Sequence, residues 1–80
     1  MNDEIIDEFL KVECDSATRN LLLGIIDDSP LNSTRTVTLN AFNVLIDTHQ
    51  KVVVIEDELD AEKSTELPLA RMRAILTSAH

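Results

Sequence analysis

Tryptophan and tyrosine are absent from the chain, and its only aromatic residues are Phe9 and Phe42. A core must therefore be built from Leu, Ile, Val and Ala. A groove that stacks bases or sugars on aromatic rings has no material. The single cysteine, Cys14, excludes an internal disulfide. It lies between Glu13 and Asp15, whose negative charge suppresses the thiolate, so it is read as a small residue at a helix junction rather than a nucleophile. The single glycine, Gly24, leaves no glycine-rich phosphate loop. Basic residues are also scarce, with 7 Lys and Arg against 15 Asp and Glu and a formal net charge of −8. Phosphate binding needs Lys and Arg. Direct contact with nucleic acid or an anionic membrane is therefore not expected, and the basic surface of a larger protein is the natural partner.

The start, Met1-Asn2-Asp3-Glu4, is too acidic for a signal or transit peptide. The longest apolar runs, 21–26 and 52–55, fall far short of the roughly 20 residues of a bilayer span. A cytoplasmic location is expected, in a bacterium or in a host cell if the source is viral. Eighty residues make a single acidic domain, 1–80. A chain this small is marginally stable, and with no disulfide the expected remedy is association with copies of itself or with a partner.

Apolar periodicity predicts an all-α fold, a small bundle of about four helices with a long third one. Asn2 or Asp3 caps a first helix with the stripe Ile5, Ile6, Phe9, Leu10 and Val12. Asp15 or Ser16 caps a second carrying Ala17, Leu21, Leu22, Ile25 and Ile26, which Asp28-Ser29-Pro30 ends. These two are expected to form an antiparallel pair. From Asn32 to Asp60 the residues Val37, Ala41, Val44, Thr48, Val52, Ile55 and Leu59 recur at steps of three and four. Such a rod would be about 40 Å long at 1.5 Å per residue, more than its neighbours could cover. Val37, Ala41, Val44, Val52, Ile55 and Leu59 would then be a homo-oligomer interface. The alternative is α+β with a hairpin at about 36–56. It draws on the β-branched content and on a turn at Asp47-Thr48-His49-Gln50, but that turn lacks glycine or Asn-Gly. Thr65 to Pro68 opens the last helix, with Pro68 in its first turn and Leu69, Met72, Ile75, Leu76 and Ala79 along one side.

Residues 56–66 hold six acids against one lysine, a local net charge of −5. Glu56, Asp57, Glu58, Asp60 and Glu62 are the first candidates for partner binding. The plainer account is a solvated helix end, partly neutralised by Arg71 and Arg73 folding back. Asp3, Glu4, Asp7 and Glu8 form a second acidic patch. Carboxylates one helical turn apart lie about 5–6 Å from each other, near the spacing of phosphates along a strand, so the two patches could imitate nucleic acid. The plainer account here is a solvated face.

Metal sites fail on spacing. His49, expected on a helix surface, and His80 have no second ligand at zinc spacing. A calcium loop needs Gly at its sixth position and an acid at its twelfth. Starting from Asp57 those places hold Glu62 and Pro68, and starting from Asp60 they hold Thr65 and Arg71. No cofactor is implied. A catalytic carboxylate pair needs an apolar pocket that this chain has little material to build.

The expected function is a non-enzymatic acidic inhibitor or regulator that occludes a basic or nucleic-acid-binding site on a larger protein. One alternative is an assembly subunit of a viral or bacterial ring or particle; the helical hairpin expected around Pro30 is similar to those of viral packaging-ring subunits. A second is a sponge for a small anionic ligand held at a subunit interface by Arg19, Arg35, Arg71 or Arg73.

Overall fold

The computed structural model describes residues 3–13, 15–28, 33–60 and 62–78. Asp3–Val12 forms α1 and Ser16–Asp28 forms α2, both close to the expected bounds. In α1 the residues Ile5, Ile6 and Phe9 are buried while Glu4, Asp7 and Glu8 face out, so the apolar stripe carries the packing. Val12, expected inside, is 59% exposed. Asp15 caps α2, its Oδ1 accepting the N–H of Thr18 at 2.8 Å. That bond holds the carboxyl below its ordinary value of 3.8 and satisfies one of the orphan donors of the first turn.

Beyond α2 the all-helical expectation is overturned. Four antiparallel strands follow: β1 (Thr34–Thr38), β2 (Phe42–Asp47), β3 (Val52–Asp57) and β4 (Ser64–Pro68). They form a meander in the order β1-β2-β3-β4 before α3, Leu69–Ser78, closes the chain. The fold is α+β, not a helical bundle, and strands β1, β2 and β3 stand where the long third helix was expected. The longest dimension of the molecule is 29 Å, shorter than the rod would have been.

Period-two burial decides the outcome. Phe42, Val44 and Ile46 on β2, and Val53 and Ile55 on β3, are at most 1% exposed, and they alternate with half-buried neighbours. A continuous helix would have split them between two opposite sides, with Phe42, Ile46 and Val53 on one and Val44 and Ile55 on the other.

The expected turn is present, but it does not depend on glycine. Asp47 Oδ1 accepts the N–H groups of His49 (2.9 Å) and Gln50 (3.0 Å), a side-chain turn. Lys51 takes the left-handed conformation, with φ of 59°, at a cost of about 1–2 kcal/mol for a residue with a Cβ. His49 therefore sits in a hairpin turn rather than on a helix. The stretch expected to open the last helix is β4, with Thr65 and Leu67 turned into the core. Pro68 lies at the strand end and Leu67 before it favours extended backbone.

All three helices lie on one face of the sheet. A single core cluster joins Ile5, Ile6 and Phe9 of α1, Leu22 and Ile26 of α2, and Met72 and Leu76 of α3 to the inward residues of β2, β3 and β4. The two aromatics meet edge to face, centroids 5.7 Å apart at 83°, and link α1 to β2. Sizeable helix–helix packing joins α2 to α3, while α1 rests on β3 and β4; the expected α1–α2 pair is not the main contact. Asn32, Pro30, Cys14, Ala79 and His80, each given a role above, lie outside the described residues.

Candidate functional site

The second face of the sheet carries no described helix. Its residues follow from the strand register. Thr36, Leu45, Val54 and Glu66 form one row across the four strands, and Thr38, Asn43, Glu56 and Ser64 form the next. Thr34, Asp47, Val52 and Pro68 complete the grid. Leu45, Val52 and Val54 stay half-buried and outside the core cluster, so the centre of the face is apolar and its margins polar. Thr36, Thr38, Asn43, Leu45, Val54 and Glu56 line a shallow hollow of about 310 Å³. Within it Asn43 Oδ1 is buried and accepts no hydrogen bond, an arrangement that costs about 1–3 kcal/mol where it is not relieved.

The acidic run borders this face. Glu56 and Glu66 are diagonal neighbours on it, about 7–8 Å apart at their Cα atoms. Beyond β3 the chain turns tightly on two aspartates. Asp57 Oδ1 accepts the N–H of Leu59 at 2.8 Å, and Asp60 Oδ1 accepts that of Glu62 at 3.1 Å. Backbone bonds from Asp60 N–H to Asp57 O and from Lys63 N–H to Asp60 O close the loop. The N–H of Glu58 donates to Ala41 O and ties the loop to the β1–β2 turn. Asp57 and Asp60 therefore hold the loop's shape, whereas Glu58 and Glu62 project into solvent beside Leu59, which is 96% exposed. Among the described residues no cation pairs with Glu56, Asp57, Glu58, Asp60, Glu62 or Glu66. The expected neutralisation by Arg73 does not occur, because its guanidinium binds Asp27 on α2 at 2.9 Å.

The chain matches no family model, no curated protein and no solved structure.

The other anticipated sites are dispersed. Asp3, Glu4, Asp7 and Glu8 belong to α1, on the helix-bearing side of the sheet, and do not join the run at 56–66. Of the expected oligomer interface, Val44 and Ile55 are fully buried and have no surface to offer a second copy. Val37 and Ala41 are partly buried against the core, Val52 lies on the open face, and Leu59 tips the β3–β4 loop. The arginines do not converge either: Arg35 is on β1, Arg19 on α2, and Arg71 and Arg73 on α3. Arg73 and Lys51 meet at a largely apolar hollow of about 540 Å³ with Ile26, Asp27, Pro68, Leu69 and Ala70. Among the described residues no three metal-ligating side chains gather, and no helix is long and apolar enough to cross a membrane.

Sequence reasoning missed Glu13. It is only 6% exposed, and its carboxylate accepts the N–H groups of Ala41 (2.7 Å, at Oε1) and Asn40 (3.3 Å, at Oε2). The end of α1 is thereby fastened to the β1–β2 turn, the same turn whose Ala41 carbonyl holds Glu58. No local pattern signals such a contact across 28 residues of chain.

Proposed function

We propose that this chain is a non-enzymatic binding module that sets its helix-free sheet face and the adjoining β3–β4 loop against a basic surface of a larger protein, occluding that surface. The observation that carries the reading is the placement of Glu56 and Glu66 on the open face, continuous with Glu58 and Glu62, with no cation among the described residues paired to them. Carboxylates left unneutralised beside a half-buried apolar strip suit a partner with Lys or Arg around a small apolar centre. Charge of one sign also speeds encounter with such a partner. Asn43 adds a buried acceptor in want of a donor. Local rules of this kind are commonly broken at functional sites.

The test uses the partner captured from the native host on immobilised chain, then identified and purified. Its affinity is measured for the wild type and for Glu56→Lys/Glu66→Lys, at low and at high salt. The double variant should bind at least tenfold more weakly, about 1.4 kcal/mol, and wild-type affinity should fall with added salt. Asp57 and Asp60 are poor choices for charge reversal because their side chains hold the loop. Equal affinity for the two chains at both salt levels would remove this face from the function.

A further inference from the structure

The two edges of the sheet are built differently. The N–H of Leu39 donates to Phe42 O, and the N–H of Thr48 donates to Ser33 O, so the odd-numbered residues of this segment face β2. In an antiparallel ladder the intervening residues point their main-chain groups the other way. Thr34, Thr36 and Thr38 therefore direct three N–H and three C=O groups outward, and no described strand receives them. At the far edge the same reasoning, from Asp57 N–H to Lys63 O and Leu69 N–H to Lys51 O, turns Ser64, Glu66 and Pro68 outward. Pro68 has no N–H to give and Glu66 adds a charge, two of the devices that keep an edge strand from pairing. The outward positions of β1, Thr34, Thr36 and Thr38, have neither, and its one charge, Arg35, lies between them on the helix side.

We infer that the β1 edge pairs with the β1 edge of a second copy of this chain, antiparallel about a two-fold axis at Thr36. In that register Thr36 faces Thr36, and Thr34 faces Thr38 of the second copy, so all the outward groups are satisfied in six hydrogen bonds. On the helix side Arg35 lies opposite Val37, so like charges do not meet. Three of the five residues of β1 are threonines that meet only threonines, which suits cross-strand packing.

Charge selects the occupant. β1 is the one strand of the four that contains no acid. It is thus the part of the sheet where a second copy of a −8 chain can approach without setting carboxylate against carboxylate. The antiparallel arrangement also sends the two acidic β3–β4 loops to opposite ends. The two β3 strands lie five strand spacings apart, about 24 Å, well beyond the screening length of about 8 Å at physiological salt. A strand from a basic partner would instead meet Arg35. The product is an eight-stranded sheet with one continuous open face, threonine-rich at its middle and acidic towards both ends. This inference rests on the edge alone and not on the proposed function.

Sedimentation equilibrium of the full chain tests it. The wild-type mass should rise from 8.9 kDa towards twice that value between micromolar and millimolar concentration. Thr36→Lys, which places two ammonium groups opposite each other on the axis, should weaken association at least tenfold while leaving the circular dichroism unchanged. Hydrogen exchange on the wild type supplies the answer should that variant fail to fold. The amides of Thr34, Thr36 and Thr38 should slow as concentration rises, and those of Ser64 and Glu66 should not. A mass fixed at 8.9 kDa up to millimolar concentration would overturn the inference, as would a dimer that leaves the three β1 amides unprotected.

Discussion

Replacing Glu13 tests whether one buried carboxylate holds the helix layer to the β1–β2 turn. Glu13→Ala removes both hydrogen bonds to the N–H groups of Asn40 and Ala41, one of them at 2.7 Å. Bonds to a charged acceptor are worth about 1.5–3 kcal/mol each, and an orphaned donor costs about 1–3. Water reaches part of this site, so a loss of about 2–4 kcal/mol is expected rather than the full sum. A domain of this length has roughly 4–12 kcal/mol in total, which makes the loss a large fraction. Urea unfolding followed by circular dichroism reads it directly. With a slope near 1 kcal/mol per molar, low in the range for small proteins, the midpoint should fall by roughly 2–4 M. Glu13→Gln keeps an acceptor for the shorter bond and should lie between the two. A loss below about 0.5 kcal/mol in Glu13→Ala, the level of an ordinary surface substitution, would refute the anchoring role.

Two further outcomes follow from the turns and caps. Lys51→Gly should stabilise the chain by up to about 1 kcal/mol, because glycine adopts the positive φ of 59° freely; a clear loss in thermal melting would place the value of Lys51 in its side chain at the α2–α3 hollow. Asp15→Ala should lower the melting temperature near neutral pH. Since the folded-state value of Asp15 lies below 3.8, its contribution is complete above that value and is lost as pH falls through the folded value. The difference between variant and wild type should therefore close in strong acid, and a gap that persists there would show that the carboxylate is not the cap.

The first two helices were legible because each announces itself locally, whereas the start of α3 was placed a turn too early, in what is β4. In α1 the acids alternate with Ile5, Ile6 and Phe9 at helical spacing, and Asp15 marks where α2 begins. The stretch 32–60 misled for a physical reason. Val37, Val44, Val52 and Ile55 fit steps of three and four, but they are divided among three strands, and Val52 and Ile55 lie on opposite faces of β3. Phe42, Val44 and Ile46 do alternate. Leu45, Val52 and Val54, apolar on the uncovered face, blur that alternation into a uniformly greasy run. The hairpin lacked its customary glycine because Asp47 and a left-handed Lys51 supply the turn. The acidic run was visible in the sequence, but its division into loop-holding aspartates and free glutamates was not, since that depends on which carboxylates reach backbone N–H groups. Glu13 and the open-face grid depend on strand register and tertiary contact, which no spacing along the chain encodes.

Because each strand lies beside its immediate predecessor, the sheet can zip up hairpin by hairpin with short loop closures, a route associated with rapid folding. The order of synthesis adds a constraint. α1 and α2 precede the strands whose face they cover and must wait for them, and α3 follows those strands. Until it docks, Val53 and Leu67 lack the lid that Met72 and Leu76 provide. The interval most exposed to misassembly therefore falls between the pairing of β3 with β4 and the docking of α3, while the inner side of that half of the sheet is still bare.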